Sequence, residues 1–341
     1  MTRLRWGIIG TGYAATLFAS DLARAEASRP HAVAGRDPAR TARFAAEFGV
    51  PVAHRTPEEL LADPDVDAVH VAVPHTEHGR WVLRAIEAGK AVLCEKPLAV
   101  DPDEARALVA AATRSGTFLM EGFMYRLHPQ TRLVADLVAK GVLGDVRLIR
   151  ASFTIDAARD PGHRLFDPAL GGGAIHDLGC YPMSMARLIA GAVEGRSHAE
   201  PDLLAAAGHI GPTGVDESAS ALLRFPTGVV AQLSAGLTAP AERGLRVEGT
   251  AGALVVTDPW SGGRPADVLT ADQTADSGAV RLLTAGGSEV IPAVADLPLF
   301  AGEADHVAEC LATGRTQSPV VSLDDTLGNV AALHRWRAAI G

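Results

Sequence analysis

The stretch GIIGTGYAA (Gly7–Ala15) decides how this chain is read. It places Gly10-x-Gly12-x-x-Ala15 between an apolar run, LRWGII, and a helix-forming run, TLFASDLARA. At a strand–turn–helix junction of this kind the first glycine permits the tight turn. The second lets main chain approach a pyrophosphate at the helix N-terminus, and a small residue, here Ala15, replaces the third glycine. The motif predicts dinucleotide binding, with Gly10, Gly12, Tyr13 and Ala15 against the cofactor.

Outward from this motif, as far as about Phe123, short apolar runs alternate with Ala/Glu/Arg-rich ones. HAVAG, AVHVAV, AVLCEK and TFLME read as strands, and the segments between them as helices. Strands that are apolar throughout and separated by helices predict a parallel sheet covered on both faces. Gly49, Gly89 and Gly116 fall where helix C-caps belong, and Thr56-Pro57 reads as an N-cap followed by proline at the first helical position.

Past Met124 the period changes to two. Ile149, Ala151, Phe153 and Ile155 alternate with polar neighbours, as do Val229, Ala231, Leu233, Ala235 and Leu237. FPTG (Phe225–Gly228) reads as a tight turn, so an antiparallel sheet is expected here. The last segment is helical, and ADQTADSGA (Ala271–Ala279) reads as a loop. The expected division is 1–123, an α/β cofactor-binding domain, and 124–341, an α+β domain carrying substrate and oligomer contacts.

Composition narrows the function classes. The 341 residues are 48% hydrophobic and carry a net charge of −9 without a basic run, which argues against nucleic acid and anionic membrane as partners. No signal peptide or membrane-length apolar run is visible. The 3 cysteines are widely spaced, so no disulfide framework or metal site is expected, and a cytoplasmic location fits.

The strand ends locate the chemistry. HAVAGRDPAR (His31–Arg40) puts Gly35 where an NAD enzyme carries an acidic ribose ligand, with Arg36 next and Arg40 a weaker second candidate. A missing carboxylate and an available arginine favour NADP(H) over NAD(H), which remains possible. Pro74, His75 and His78 end the strand AVHVAV at the cofactor crevice, the histidines reading as helix caps rather than metal ligands. Glu95-Lys96-Pro97 ends the next strand. A lysine there can hold a substrate hydroxyl and favour its deprotonated form while hydride leaves the carbon.

AGKAVLCEKPLA (Ala88–Ala99), EGFMYRLHP (Glu121–Pro129) and GGGAIHDLGCYP (Gly171–Pro182) follow the glycine motif in order. Together they resemble the glucose-fructose oxidoreductase / inositol dehydrogenase / rhizopine catabolism (Gfo/Idh/MocA) family over nearly the whole chain. DLGCYP is similar to the dimeric dihydrodiol and xylose-type sugar dehydrogenase branch. The resemblance implies a Rossmann domain and a second domain with a large open antiparallel sheet, whose exposed face forms a homodimer or homotetramer. It implies hydride transfer between NAD(P) and a hydroxyl-bearing carbon of a small sugar, polyol or cyclic diol. It places the catalytic lysine at Lys96, the substrate-positioning acid at Asp177 and the proton-transfer group at Tyr181. A glycosidase-type NAD enzyme and a non-catalytic NADP sensor are the alternatives; retention of all three groups argues against the sensor.

A helix starting near Gly173 puts Asp177 and Tyr181 one turn apart. Pro182 opposes that start, because inside a helix it lacks a donor and clashes with the carbonyl of Leu178. An early start with local distortion is expected, the three glycines admitting the nicotinamide. A tyrosine beside a lysine ammonium would have a lowered pKa. His176 and Cys180 read as structural. Arg126 holds either the domain junction or substrate. Arg159 and Arg164 either bind a carboxylate or phosphate or cap their loop.

Overall fold

The structure is a computed structural model that describes residues 3–157, 162–239, 243–261 and 278–341. Arg159 and most of the Ala271–Ala279 loop lie outside the described residues. The chain divides into two compact units, Met1–Met124 with Leu297–Leu327, and Tyr125–Asp296 with Gly328–Gly341. No helix among the described residues is long and apolar enough to cross a membrane.

The first unit holds a six-stranded sheet: β1 (Leu4–Ile9), β2 (Ser28–Ala34), β3 (Val52–Ala53), β4 (Ala68–Val71), β5 (Ala91–Glu95) and β6 (Leu119–Gly122). All pairings are parallel and the order is β3-β2-β1-β4-β5-β6. This is the doubly wound order whose direction reverses beside β1, which places a cofactor crevice at the carboxyl ends of β1 and β4. The two-residue β3 escaped the sequence reading because it is too short to show a period. Helices α1 (Tyr13–Leu22), α2 (Pro38–Phe48), α3 (Pro57–Ala62), α4 (His78–Glu87) and α5 (Pro102–Ser115) make the crossovers. Their ends follow local rules: the Thr56 side chain accepts from the Glu59 N–H, and Gly49 and Gly116 end α2 and α5 in the left-handed conformation.

Helix α6 (Pro129–Ala139) leads into the second unit's eight-stranded sheet: β7 (Val146–Thr154), β8 (Leu203–Ile210), β9 (Asp216–Arg224), β10 (Val230–Gly236), β11 (Gly244–Gly249), β12 (Gly252–Thr257), β13 (Ala279–Thr284) and β14 (Gly287–Pro292). The order is β14-β13-β12-β11-β7-β10-β9-β8. The expected alternation is present, with Val229, Ala231, Leu233, Ala235 and Leu237 all buried. The sheet is antiparallel except at one pair. Strands β7 and β10 run parallel, Ala151 opposite Leu233. A parallel pair needs a long crossover, usually helical; helix α7 (Cys180–Val193), which packs on both strands, provides it here.

Helix α8 (Leu299–Ala312) returns the chain to the first unit. Its Glu303 is fully buried, and neither carboxyl oxygen has a hydrogen-bond partner. Burial, reinforced by the negative Glu95, pushes this carboxyl well above its ordinary range. The native state therefore keeps a proton that the unfolded chain releases, so stability is fullest below the ordinary carboxyl pKa and falls as pH rises toward the folded-state value. Glu303→Gln is neutral at every pH and removes that slope. Its Tm is expected to match the parent near pH 5 and to exceed it by several degrees at pH 8 in thermal melts. A Tm difference independent of pH would contradict the assignment.

Candidate active site

The glycine turn is shaped by two different demands. Gly10 has φ of 117°, and a Cβ there would lie 2.1 Å from the Ala72 carbonyl oxygen, so the position is closed to any side chain. A Cβ on Gly12 would meet nothing within 4 Å. Gly12 caps α1, which has no side-chain cap and no acidic residue in its first turn. An uncapped helix N-terminus above open space is an anion site, and these residues fit the pyrophosphate of a dinucleotide. Ala15 is buried beneath the turn and Tyr13 is largely exposed beside it.

At the end of β2 the side chains are basic. Asp37, the nearest carboxylate in the chain, is occupied as the cap of α2, accepting from the Ala39 and Arg40 N–H groups. Arg36 is exposed. Arg40 donates to the Thr11 carbonyl at 2.8 Å, linking α2 to the glycine turn. Arg40 and Arg43, with Thr11, Thr16 and Glu47, line an open cleft of about 410 Å³.

Three interactions clamp the main chain around Lys96. Glu95 Oε1 lies 3.2 Å from His70 Nε2 on β4, and His70 stacks on Phe18. The Pro97 carbonyl lies 2.8 Å from His78 Nδ1, and the Leu98 N–H donates to Glu121 Oε1 at 2.9 Å. Burial alone would raise the Glu95 carboxyl; the hydrogen bond and charge of His70, then Lys96 and His78, bring it below the ordinary range. His78 is wholly buried, its other ring nitrogen 3.0 Å from the Val73 carbonyl. Both ring nitrogens thus face protein carbonyls, and the side chain braces the Lys96 turn. His75 is buried beside it with ring centroids 5.6 Å apart, and Pro74 is half-buried.

In the second unit, helix α7 does begin early. Ala174 is already helical, and a π-helical turn over Ile175–Gly179 joins it to α7. The wider turn is the expected distortion: it accommodates the missing N–H and the ring of Pro182, and such turns often mark functional sites. Asp177 and Tyr181 are both nearly buried on this segment. Asp177 Oδ1 accepts from Arg164 Nη2 at 3.0 Å. The Tyr181 ring sits among Tyr125, Phe153 and Trp260, with centroids 5.5, 5.1 and 5.9 Å away. Arg126 is buried and donates to Ser184 Oγ on α7 at 2.9 Å, so it braces the helix rather than facing solvent.

Two of the glycines ahead of this helix also meet a packing demand. The space a Cβ would take on Gly172 is filled by the carbonyls of Leu165, Arg164 and Asp167, at 2.6, 2.8 and 2.9 Å. Gly173, with φ of 117°, lies against the Asp216 carboxylate, which also accepts from the Ile175 N–H at 2.6 Å. They admit the protein's own loop and an acidic strand end. Burial, reinforced by Arg337 and His334, pushes His176 down to about 4. It is neutral near pH 7, as a scaffold residue would be. Cys180 is buried and reduced.

Two family models match the chain: "Oxidoreductase family, NAD-binding Rossmann fold" over residues 4–123, and "GFO/IDH/MocA C-terminal domain" over residues 131–255. The chain belongs to the Gfo/Idh/MocA oxidoreductase family. Among curated relatives, mouse trans-1,2-dihydrobenzene-1,2-diol dehydrogenase is 34% identical, covering 99% of this chain and 97% of its own. Among solved structures, a 3-ketoreductase from Actinomadura kijaniata with NADP and TDP-benzene aligns with a TM-score of 0.85 at 31% identity, over 99% of this chain and 98% of that one. An aldose-aldose oxidoreductase from Caulobacter crescentus with glycerol aligns at 0.84 and 28% identity, covering 99% and 97%. This Gfo/Idh/MocA chain is thus an oxidoreductase with an NAD(P)-binding Rossmann domain. The aromatic wall around Tyr181 and the His70 and Glu121 supports of Lys96 were missed by the sequence reading. Only their place within quoted motifs, such as Glu121 and Tyr125 in EGFMYRLHP, hinted at them.

Proposed function

We propose that this protein is an NADP(H)-dependent dehydrogenase or reductase acting on the hydroxyl-bearing carbon of a sugar, polyol or cyclic diol. One observation carries the reading: Asp177 and Tyr181, the acid and tyrosine of the DLGCYP motif, are held nearly buried on one distorted helical segment with an aromatic wall behind the tyrosine. In the oxidative direction Tyr181 takes the substrate hydroxyl proton. Lys96 favours the deprotonated oxygen, and Asp177 accepts from a neighbouring hydroxyl. When bound, the nicotinamide supplies the hydride acceptor. Gly10, Gly12, Tyr13, Ala15, Pro74, His75 and Glu95 would surround the dinucleotide, with Arg36 toward a 2′-phosphate. The dihydrobenzenediol dehydrogenase and the NADP-bound 3-ketoreductase among the relatives support both the substrate class and the cofactor.

The test is steady-state turnover of trans-1,2-dihydrobenzene-1,2-diol, aldoses and polyols with NADP⁺ and NAD⁺. Preference for NADP⁺ and formation of an oxidised product are expected; absence of net nicotinamide reduction on the whole panel would overturn the reading. In the same assay Arg36→Ala is expected to raise the KM for NADP⁺ by roughly tenfold or more while leaving that for NAD⁺ nearly unchanged, as loss of one charge-assisted contact to a phosphate requires. Equal effects on both would remove Arg36 from cofactor recognition. The open face of the second sheet, with exposed Leu203 and Leu222 and small residues such as Ala205 and Ser220, is proposed as the contact of a homodimer or homotetramer, to be checked by light scattering.

A further inference from the structure

Arg164 sits at a built position. It opens a short 3-10 turn, Arg164–Phe166, capped by the His163 ring, whose Nδ1 accepts from the Leu165 N–H. Leu165 and Phe166 are buried and anchor the turn. The Gly173 N–H donates to the Leu165 carbonyl at 3.0 Å and the Gly172 N–H to the Asp167 carbonyl at 3.0 Å. The turn is therefore fastened to the first residues of the segment that carries Asp177. From there one guanidinium nitrogen reaches the Asp177 carboxylate at 3.0 Å. The Asp177 side chain is 9% exposed, whereas that of Arg164 is 42% exposed. Among the described residues, Asp177 is the acceptor that Arg164 engages. A guanidinium carries five donors, and the partly exposed Arg164 side chain stands beside an acidic group assigned to substrate.

We propose that Arg164 is a substrate-positioning residue, and that with Asp177 it forms a charge-neutral receptor for two adjacent oxygens of an uncharged polyol. The carboxylate accepts from one hydroxyl and the free guanidinium donors give to its neighbour. This rests on the dehydrogenase reading above and deepens it. Within this pair the Arg164 charge is offset by Asp177 at 3.0 Å, so Arg164 itself adds little net attraction for a carboxylate or phosphate. A vicinal diol uses both partners of the pair without leaving either charge unmatched. Of the two uses the sequence left open for Arg164, anion binding is set aside.

Binding is read first without turnover, by saturation-transfer NMR on the NADPH-loaded protein, which cannot oxidise a hydroxyl, with D-glucose, 2-deoxy-D-glucose and D-glucuronate. The parent is expected to contact D-glucose and to favour it over the other two. Arg164→Met is expected to lose that contact and the discrimination with it, and Arg164→Lys to recover part of both. Preference for D-glucuronate, no contact with D-glucose in the parent, or equal contact in parent and Arg164→Met overturns the proposal. Kinetics with the best substrate of the panel then separate positioning from scaffolding. Arg164→Met should raise KM at least tenfold and lower kcat severalfold, with NADP⁺ affinity and Tm unchanged, and Arg164→Lys should restore part of KM. A lowered Tm with unchanged KM would mark a loop support and overturn it. Retained D-glucose contact without turnover of any compound would overturn the dehydrogenase reading instead.

Discussion

Tyr181→Phe is expected to lower kcat by roughly 10²–10⁴-fold, the usual worth of a positioned acid–base group. The substitution isolates the hydroxyl. The phenyl ring keeps its neighbours Tyr125, Phe153 and Trp260, edge contacts and tilted stacks at 5.1–5.9 Å that are each worth about 0.5–1.5 kcal/mol. The Tyr181 carbonyl still accepts from the Tyr125 hydroxyl, which lies 3.3 Å away. Helix α7 and its π-turn are untouched, so Tm and NADP⁺ affinity, followed by nicotinamide fluorescence, should stay at the parent values. Near-normal kcat in this variant would remove Tyr181 from proton transfer and leave it as a packed aromatic. His176 offers no good substitute, since burial holds it near 4 and makes it a weak base.

A second large effect separates the two glycines of the turn. Gly10→Ala drives a methyl group to 2.1 Å from the Ala72 carbonyl oxygen at a φ of 117°. Both strain terms act on β1 and the end of β4, and a loss on the order of 3 kcal/mol is expected, with Tm lower by roughly 5 °C or more. Gly12→Val meets open space. Its Tm is expected to stay close to the parent, while NADP⁺ affinity, measured by calorimetry, falls by roughly 100-fold or more because the side chain occupies the anion site at the helix end. The pair thus distinguishes a fold position from a ligand position two residues apart. Equal loss of stability in both variants would show that Gly12 is there for the backbone and not for the cofactor.

Much of the candidate site was legible because it obeys local rules. The glycine turn, the basic end of β2, the lysine at the end of β5 and the four-residue spacing of Asp177 and Tyr181 all depend on residues near one another in the chain. The clash of Pro182 with a regular helix was equally local, and it correctly announced a distortion whose form, a π-turn, needed coordinates. The reading failed where side chains meet across the sequence. Gly172 and Gly173 look like a cofactor approach in isolation, yet the Leu165 carbonyl and Asp216 lie where side chains at these positions would go. His78 looks like a crevice residue and instead holds the Pro97 carbonyl.

The two kinds of sheet, the helix caps, the glycine turn and the identity of the chemical groups follow from short stretches of chain. Period, capping and backbone freedom are properties of a few consecutive residues, and they survive without knowledge of partners. The parallel pairing of β7 with β10, the rest of Arg164 on Asp177, the aromatic wall of Tyr181 and the sealing of Glu303 without a hydrogen-bond partner arise on folding. Each of these is a meeting between residues separated by a crossover, a loop or most of the chain. Its energy comes from burial and from closing the chain on itself, which no local pattern records.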